Sequence, residues 1–326
     1  MIRHRRRLLG LGTLALTGAW APWTRAQSLD KPVRVIVAYG AGSATDMIVR
    51  FLGERIGKLS GRPVVVENKP GADGNIAAEA ALHAQPDAYT LLASGASTHA
   101  ANVTLYKKLN FDPEADFTPL APLAAAPFIL VVNPERVRAR TLKDFVGQAA
   151  AGGKPLTFAA TSVGNRIAGE RFRQAARLPA AAVPYRASAQ AMTDLIGAQF
   201  DYYFCDTATA LPQIRAGKIV PLAVSARERL AAVPEVPTVA EAMFPDFDVV
   251  TWIGIWSANA STPADVATRL SGWIAQTLES AEGREFLTAK GLVPMPGGAE
   301  RLRTQQRRDT VEWGKVIREI GLAAGA

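Results

Sequence analysis

Two kinds of hydrophobic pattern alternate along the chain between residues 33 and 93. Short β-rich apolar runs predict strands, and stretches with apolar side chains at helical spacing predict helices between them. The predicted order is strand 33–38, helix 46–59, strand 63–67, helix 74–83 and strand 89–93. Strands separated by helices indicate a parallel sheet covered by helices, which is an α/β arrangement.

A second α/β set begins near Phe128. Its predicted strands are 128–132, 156–159, 182–184, 200–205 and 219–224. Its predicted helices begin at Thr141 or include 169–176, 189–196 and 212–216. A last strand-like run, 249–256, leads to a helix at 263–280 and a charged amphipathic tail at 300–320. The stretches 124–132 and 249–257 are candidate crossings between two lobes. We expect a ligand to bind beyond the carboxyl ends of the strands, in a cleft between the lobes.

Three glycine-containing loops each follow a predicted strand and lead into a helix: 39–45, 68–75 and 160–165. A helix N-terminus offers free backbone N–H groups and the positive end of the helix dipole, which together bind anions. Glycine in one such loop often serves turn geometry alone. Three together predict several helix N-termini directed into one cleft.

The same loops argue against a nucleotide. Gly40 and Gly42 fit the first half of a G-x-G-x-x-G fingerprint, but its third glycine would fall at Thr45. The chain also contains no Gly-Lys-Ser/Thr sequence. A carboxylate fits better, because a few N–H groups and a hydroxyl are enough to hold it.

The first 26 residues have the layout of a secretory signal peptide. A basic start is followed by an apolar stretch from Leu8 to Trp20, which is too short for a membrane span, and then by Thr24-Arg25-Ala26. Arg5-Arg6-Arg7-Leu8-Leu9 also fits a twin-arginine export signal. The segment carries five of the positive charges and no acid, so the net charge falls from +8 to +3 on its removal (8 − 5). We therefore expect a periplasmic protein without a nucleic-acid footprint.

Few residues are available for covalent or metal chemistry. Cys205 is the only cysteine and lies in a strand-like run, where a buried, inert thiol is expected. Only two of the three histidines, His83 and His99, follow the signal segment, and no G-x-S-x-G sequence is present. No catalytic residue, metal site or cofactor is predicted.

Five segments are similar to one family over essentially the whole mature chain. They are VVVENKPGADGNIAAEAALHAQPDAYTLL (64–92), YKKLNFDPEADFTPLAPL (106–123), VPYRASAQAMTDLIGAQFDYYFCD (183–206), IRAGKIVPLAVSARERLAAVPEVPTVAEA (214–242) and WIGIWSANASTP (252–263). The chain resembles the extracytoplasmic solute-binding proteins of tripartite tricarboxylate transporters, the Bug family. The resemblance implies a type II-like periplasmic binding protein with two α/β lobes and a hinged cleft. We place one lobe at 27–126 plus 253–326 and the other at 127–252.

The resemblance also implies where a ligand binds. The family uses the loops after the first three strands, the loop before an AGE helix in the other lobe, and an aspartate after an FD strand. Carried onto this sequence, the predicted ligand-binding residues are Tyr39, Gly40, Ala41, Gly42, Ser43, Thr45, Gly71, Ala72, Gly74, Asn75, Ser94, Ser97, Ser162, Gly164, Asn165, Arg166 and Asp206.

The chain departs from the family pattern at the predicted pocket wall. The first loop reads Ala-Tyr-Gly-Ala-Gly-Ser instead of a Pro-Phe-rich triple glycine, although Asp46 is retained. The loop before the AGE helix is about two residues shorter than usual, and Arg166 stands where a histidine is expected. The usual Arg-Gly-Ser is Arg186-Ala187-Ser188 here. These departures affect ligand identity more than fold.

Several side chains allow two interpretations. Asp206 either caps the next helix or orients ligand and water, and Arg166 either pairs with a second ligand carboxylate or is solvated. Arg186 either reaches the cleft or pairs with an acid such as Asp194. The aromatic rings Tyr39 and Trp252 either stack on an aromatic ligand or pack in the hinge and core. Asp46 is expected to support its helix, and His99 to be structural.

Together, these features predict an exported, monomeric solute-binding protein without enzymatic activity. It would capture a small carboxylate (a di- or tricarboxylate, an acidic amino acid or an aromatic acid) for the membrane subunits of a tripartite tricarboxylate-type transporter. Two alternatives remain open. A carboxylate sensor for a membrane receptor would have the same pocket, and an exported α/β enzyme would need a nucleophile with a base.

Overall fold

Ten strands form the framework of the described chain. The computed structural model describes residues 32–84 and 89–324, so the predicted signal peptide at 1–26 lies outside the described residues. Within them the strands are β1 (Val33–Val37), β2 (Val64–Asn68), β3 (Thr90–Gly95), β4 (Thr118–Val132), β5 (Leu156–Ala160), β6 (Ala180–Pro184), β7 (Tyr203–Asp206), β8 (Val220–Val224), β9 (Val250–Ser257) and β10 (Val293–Pro294).

The helices lie between these strands and after the last of them. They are α1 (Ala44–Ser60), α2 (Asn75–Leu82), α3 (Asn102–Leu105), α4 (Leu142–Gly152), α5 (Val163–Ala176), α6 (Ser188–Ile196), α7 (Thr207–Arg215), α8 (Val239–Ala242), α9 (Ala264–Leu278), α10 (Ala281–Ala289) and α11 (Ala299–Glu319). A short 3₁₀ turn, Ala72–Gly74, precedes α2, and a π-helical turn, Ser97–Ala101, precedes α3.

The first sheet has the strand order β10-β4-β9-β3-β1-β2. β1 pairs in parallel with β2 and β3, as the alternation of strands and helices predicts. β9 pairs antiparallel with β3 and with β4, so the sheet is mixed and the expectation of a parallel sheet is only partly correct. The antiparallel strands are paired with partners more than 120 residues away in sequence, which local patterns do not encode.

β4 is the strand that joins the two halves of the fold. Its first part pairs with β9 as far as Pro127, which lies opposite Val250. From Phe128 onward it pairs with β7 and β8, which form the second sheet. The predicted strand at 128–132 is therefore the last third of a 15-residue strand. The predicted crossings at 124–132 and 249–257 fall where the chain passes between the sheets.

A buried serine holds the two crossing segments together. Ser225 is fully buried, accepts a hydrogen bond from the Phe128 N–H at 2.9 Å, and donates one to the Val249 carbonyl at 2.6 Å. The Val249 N–H in turn donates to the Ser225 carbonyl at 3.0 Å. The Ser225 N–H also donates to the Phe128 carbonyl at 2.9 Å, so four hydrogen bonds fix the point at which β4 changes sheets.

Each sheet is covered by helices that bury apolar side chains. α1 and α9 pack on one face of the first sheet, through side chains such as Ile48 and Leu270. α5 packs on the second sheet through Ile167 and Phe172. α11 contacts both regions, because Leu302 near its start lies in the core of the first sheet and Ile317 near its end lies in the core of the second.

Candidate functional site

The loop between β1 and α1 is folded back on a buried carboxylate. Asp46, which is 3% exposed, accepts hydrogen bonds from the Gly42 N–H at 2.9 Å, Arg50 Nε at 3.0 Å and Asn68 Nδ2 at 2.9 Å. Burial acts to raise the pKa of Asp46, but these donors and the Arg50 charge hold it below its ordinary value. Asp46 therefore supports the loop, as expected. The Gly42 N–H is already engaged and is not free to donate to a ligand.

The other predicted residues of the 39–45 loop differ in solvent exposure and in whether their polar groups are already hydrogen-bonded. Ser43 caps α1, accepting from the Asp46 N–H at 3.3 Å, and Thr45 is buried at the start of the helix. Gly40 and Ala41 lie on the outside of the turn, Gly40 partly and Ala41 fully exposed. Glycine in this loop serves the backbone geometry as well as the exposure of the turn. Gly42 has a φ of +80°, a conformation that would be strained for a residue with a side chain.

Tyr39 and the two predicted serines after β3 belong to the interior. Burial raises the pKa of Tyr39 to about 12, while hydrogen bonding to Ser97 and Thr98 acts in the opposite direction. Ser94 is fully buried, and its hydroxyl lies 2.8 Å from His99 Nδ1. We conclude that these side chains brace the loop after β3.

The glycine loop after β2 has an unusual backbone. Four successive residues have positive φ: Gly71 (127°), Ala72 (47°), Asp73 (52°) and Gly74 (94°). A β-carbon on Gly74 would lie 2.0 Å from Thr98 Oγ1, so the close approach requires glycine. Non-glycine residues in this conformation are uncommon and cluster at functional sites. The loop is held in this conformation from beneath.

Two buried side chains hold that loop. Thr98 Oγ1 and Asn102 Nδ2 donate to the Asp73 carbonyl at 3.0 and 3.2 Å. Asn102 Nδ2 also donates to Asn75 Oδ1 at 2.7 Å. The side-chain oxygen of Asn75, a predicted ligand contact, is therefore engaged within the protein.

The N-terminus of α5 is a complete capping box. Ser162 Oγ accepts from the Asn165 N–H at 3.4 Å, and Asn165 Oδ1 accepts from the N–H groups of Ser162 (3.1 Å) and Thr161 (3.0 Å). Gly164 lies against the crossing strands, because a β-carbon there would be 3.0 Å from Phe128 Cζ. Arg166 is exposed in the first turn and forms no salt bridge within the described residues. Ser162 and Asn165, both predicted ligand contacts, are therefore engaged with each other and with Thr161 in the cap.

A carboxylate missing from the predicted set joins the two loops. Asp73 Oδ2 accepts a hydrogen bond from the Tyr106 hydroxyl at 3.1 Å. Burial raises the pKa of Asp73, and hydrogen bonding from Tyr106 and from the Val163 N–H, with the Arg166 charge, opposes that rise. Val163 is the first residue of α5. We call this meeting of the 71–75 loop with the start of α5, residues 161–166, the junction.

A group of hydroxyls beside the junction is also absent from the predicted set. The Tyr203 hydroxyl lies 2.8 Å from Thr161 Oγ1 and 3.2 Å from Ser188 Oγ. Asn165 Nδ2 donates to Thr161 Oγ1 at 2.6 Å. Two sequence features could have identified this group of hydroxyls. They are the Arg186-Ala187-Ser188 segment and the hydroxyl of Thr161, near the start of the 160–165 loop.

The two-way interpretations are resolved for several side chains. Asp206 caps α7, with Oδ1 accepting from the Thr209 N–H at 2.9 Å, and its second carboxylate oxygen accepts no hydrogen bond within the described residues. Asp194 accepts from the Tyr185 hydroxyl at 2.9 Å instead of pairing with Arg186, which is exposed. Trp252 packs in the core and donates to Asp309 Oδ2 at 2.6 Å.

The thiol of Cys205 is buried, as its strand-like run predicts. Cys205 is fully buried, and burial raises its pKa well above the ordinary value, so the thiolate is disfavoured. Across residues 32–84 and 89–324, no three His, Cys, Asp or Glu side chains gather closely enough to hold a metal ion. In the same residues, no helix combines the length and the apolar character that a membrane span requires.

One known protein family matches most of the chain. The family described as "Tripartite tricarboxylate transporter family receptor" matches residues 48–322. The chain belongs to this family. Its relatives are solute-binding proteins and not enzymes, as the sequence predicts.

Three solved structures share the fold over nearly their whole length. The R. palustris protein Rpa4515, described with adipate, is 27% identical with a TM-score of 0.86, covering 90% of this chain and 98% of its own. The periplasmic binding protein BugD is 26% identical with a TM-score of 0.83, covering 90% and 99%. MatC from Rhodopseudomonas palustris, described with bound malate, is 28% identical with a TM-score of 0.79, covering 88% and 98%. The family receptor is therefore a two-lobed periplasmic binding protein of the Bug type.

Proposed function

We propose that this protein is a periplasmic receptor that captures a small carboxylate and presents it to the membrane subunits of a tripartite tricarboxylate transporter. The candidates are di- and tricarboxylates, acidic amino acids and aromatic acids. The binding of adipate and malate by proteins of the same fold supports a carboxylate. The observation that carries the proposal is the capped start of α5, where the exposed Arg166 lies in the first turn at the positive end of the helix dipole.

The expected contacts come from both sheets. The start of α5 contributes the positive end of its dipole, and Arg166 contributes a full charge that no acid of the described residues neutralises within salt-bridge distance. Gly40, Ala41, Gly71 and Ala72 lie partly or fully exposed along the opposite rim. Rotation of the two sheets about the crossing strands would close the rim over the ligand and change the surface offered to a partner.

Export is part of the proposal. Residues 1–26 would direct the chain to the periplasm by the general or the twin-arginine route. The mature protein would act there as a monomer, without a cofactor.

Binding is tested on the mature chain, residues 27–326. Native mass spectrometry as purified is followed by thermal shift and calorimetry against small acids that include adipate, malate, aspartate and benzoate. We expect a co-purified acid or a selective rise in melting temperature. A protein that neither carries nor responds to any acid would refute the proposal.

A charge-matched pair of variants locates the site. Arg166→Gln removes the exposed positive charge at the start of α5 and should weaken acid binding by about tenfold, since a charge-assisted hydrogen bond contributes roughly 1.5–3 kcal/mol. Arg171→Gln removes the same charge five residues further along α5, on another face of the helix, and should leave affinity unchanged. Equal effects of the two substitutions would place the ligand elsewhere.

A further inference from the structure

A cavity of about 260 Å³ lies between helices α9 and α10 and the edge of β4. β10 pairs with β4 only at Ala124 and Ala125, so the edge of β4 before these residues has no strand neighbour on that side in the described chain. α9 covers this edge instead, and Ser271 Oγ donates to the Leu120 carbonyl at 2.9 Å. The cavity remains where α9, β4 and the segment 294–297 leave space between them.

The walls of the cavity are apolar. Ile274, Ala275 and Leu278 follow Ser271 by three, four and seven residues, so they lie on the same face of α9. Leu287 of α10 lines another side, together with apolar residues of β4 and β10. An apolar cavity of about 150 Å³ is enough to hold benzene, so this larger one has room for a side chain of the size of leucine or phenylalanine.

An arginine lies at the mouth of the cavity. α9 ends at Leu278, and Arg284 Nε and Nη2 donate to the Glu279 carbonyl at this helix end, at 3.0 and 2.7 Å. The remaining nitrogen, Nη1, makes no hydrogen bond within residues 32–84 and 89–324, and the side chain forms no salt bridge there. The exposed guanidinium is therefore available to a carboxylate.

An acid lies beside this arginine. The Glu279 side chain also lines the cavity and is exposed. Because Arg284 is held on the Glu279 backbone, the two charges lie within about one side-chain length of each other, yet they form no salt bridge in the described part of the chain. The mouth thus presents a positive and a negative group above apolar walls. This pattern complements a molecule that carries a carboxylate and an ammonium group at one end of an apolar body.

We propose that this α9–α10 cavity binds a free apolar α-amino acid of the size of leucine or phenylalanine. The side chain of the amino acid occupies the apolar walls, its carboxylate pairs with Arg284, and its ammonium group pairs with Glu279. Burial of the side chain supplies affinity, and the two charges supply selectivity. None of the residues predicted to bind the carboxylate of the proposed function lines this cavity, so the two sites are separate.

The test compares amino acids with analogues that each lack one feature. Calorimetry on the mature chain would use L-leucine with 4-methylpentanoate, which lacks the ammonium group, and 3-methylbutylamine, which lacks the carboxylate. The matching set is L-phenylalanine with 3-phenylpropanoate and 2-phenylethylamine, and alanine serves as the amino acid without a large apolar body. Leucine or phenylalanine should bind at least tenfold tighter than its analogues and than alanine. Equal affinity for an analogue, or no binding of either amino acid, would overturn the inference.

Matched variants locate the site. Arg284→Gln and Glu279→Gln each remove one charge at the mouth and should weaken binding of the amino acid tenfold or more. Ala275→Leu extends a side chain from α9 into the cavity and should abolish binding. The controls Arg269→Gln and Glu285→Gln remove exposed charges of α9 and α10 that do not line the cavity, and they should leave the affinity unchanged.

The variants also separate this inference from the receptor function. Binding of leucine or phenylalanine that all three cavity variants leave unchanged would place the amino acid elsewhere and overturn the inference. Binding of small acids in the cleft is measured on its own with the panel described above, and it does not depend on the cavity. Failure of one proposal therefore leaves the other standing.

Discussion

His99 should make a large, separable contribution to the acid sensitivity of the fold. Its ring is fully buried and stacks on Trp256 with the centroids 3.6 Å apart, while Nδ1 lies 2.8 Å from Ser94 Oγ. Nε2 has no hydrogen-bond partner within the described part of the chain. Burial lowers the pKa of His99 from 6.5 to about 3, because a charged imidazole would have neither water nor a counter-ion there.

The size of the effect follows from linkage. The folded pKa is depressed, so the stabilisation is complete above the unfolded value of 6.5 and is lost as pH falls towards about 3. At about 1.4 kcal/mol per pKa unit, lowering the pH from about 7.5 to about 5 should remove about 2 kcal/mol from the free energy of unfolding through this residue alone. This figure depends mainly on the unfolded pKa, since the folded value lies well below the lower pH.

The assay is urea unfolding of the mature chain at the two pH values. His99→Phe keeps a ring against Trp256 but cannot titrate, so its loss of stability between the two conditions should be about 2 kcal/mol smaller than that of the wild type. His83→Gln removes an exposed histidine and should lose as much as the wild type. Carboxylates with lowered pKa, such as Asp46 and Glu67, also weaken the fold in acid, but they are common to all three proteins. Equal losses in wild type and His99→Phe would refute the reasoning.

Three further predictions concern packing and reactivity. Gly74→Ala should lower the free energy of unfolding by about 2–4 kcal/mol in urea unfolding, because the new β-carbon combines a positive φ with a clash against Thr98. In the control, Gly147→Ala, the β-carbon meets open space within α4, so this variant should be neutral or stabilising by up to about 1 kcal/mol. Ser225→Ala should cost about 2–4 kcal/mol in the same assay, since two buried backbone groups at the strand crossing lose their partner; a cost near zero would show that the crossing does not depend on it. Cys205 should resist a thiol reagent in the native protein and react once urea unfolds it, and rapid native labelling would contradict its burial.

The sequence predicted the elements of the first sheet well because their patterns are local. β1, α1 and β2 each carry an apolar rhythm of the right period and end at glycine or a polar cap, and the structure places them within two residues of the predicted bounds. β4 shows the limit. Its first ten residues, TPLAPLAAAP, have two interior prolines and no strand-like alternation. They form a strand because β9 pairs with them from more than 100 residues away.

The loops were found from the sequence, but the state of their hydrogen-bonding groups was not. Glycine and small polar residues before a helix identify a turn with free N–H groups. Which of those groups stay free depends on side chains that fold back from elsewhere. Asp46 takes the Gly42 N–H from four residues away, His99 engages Ser94 from five, and the Tyr106 hydroxyl reaches Asp73 across 33 residues. Only the first of these distances lies within the reach of a local motif.

This engagement changes where the anion-binding capacity of the fold lies. Sequence patterns spread it evenly over three loops, but a buried acid uses the first loop's N–H and the Asn165 side chain uses two at the start of α5. The first turn of α5 keeps the positive end of the helix dipole and the exposed Arg166, so the remaining anion-binding capacity is concentrated there. The 71–75 loop offers less, because contacts to Tyr106, Thr98 and Asn102 already hold Asp73 within the protein.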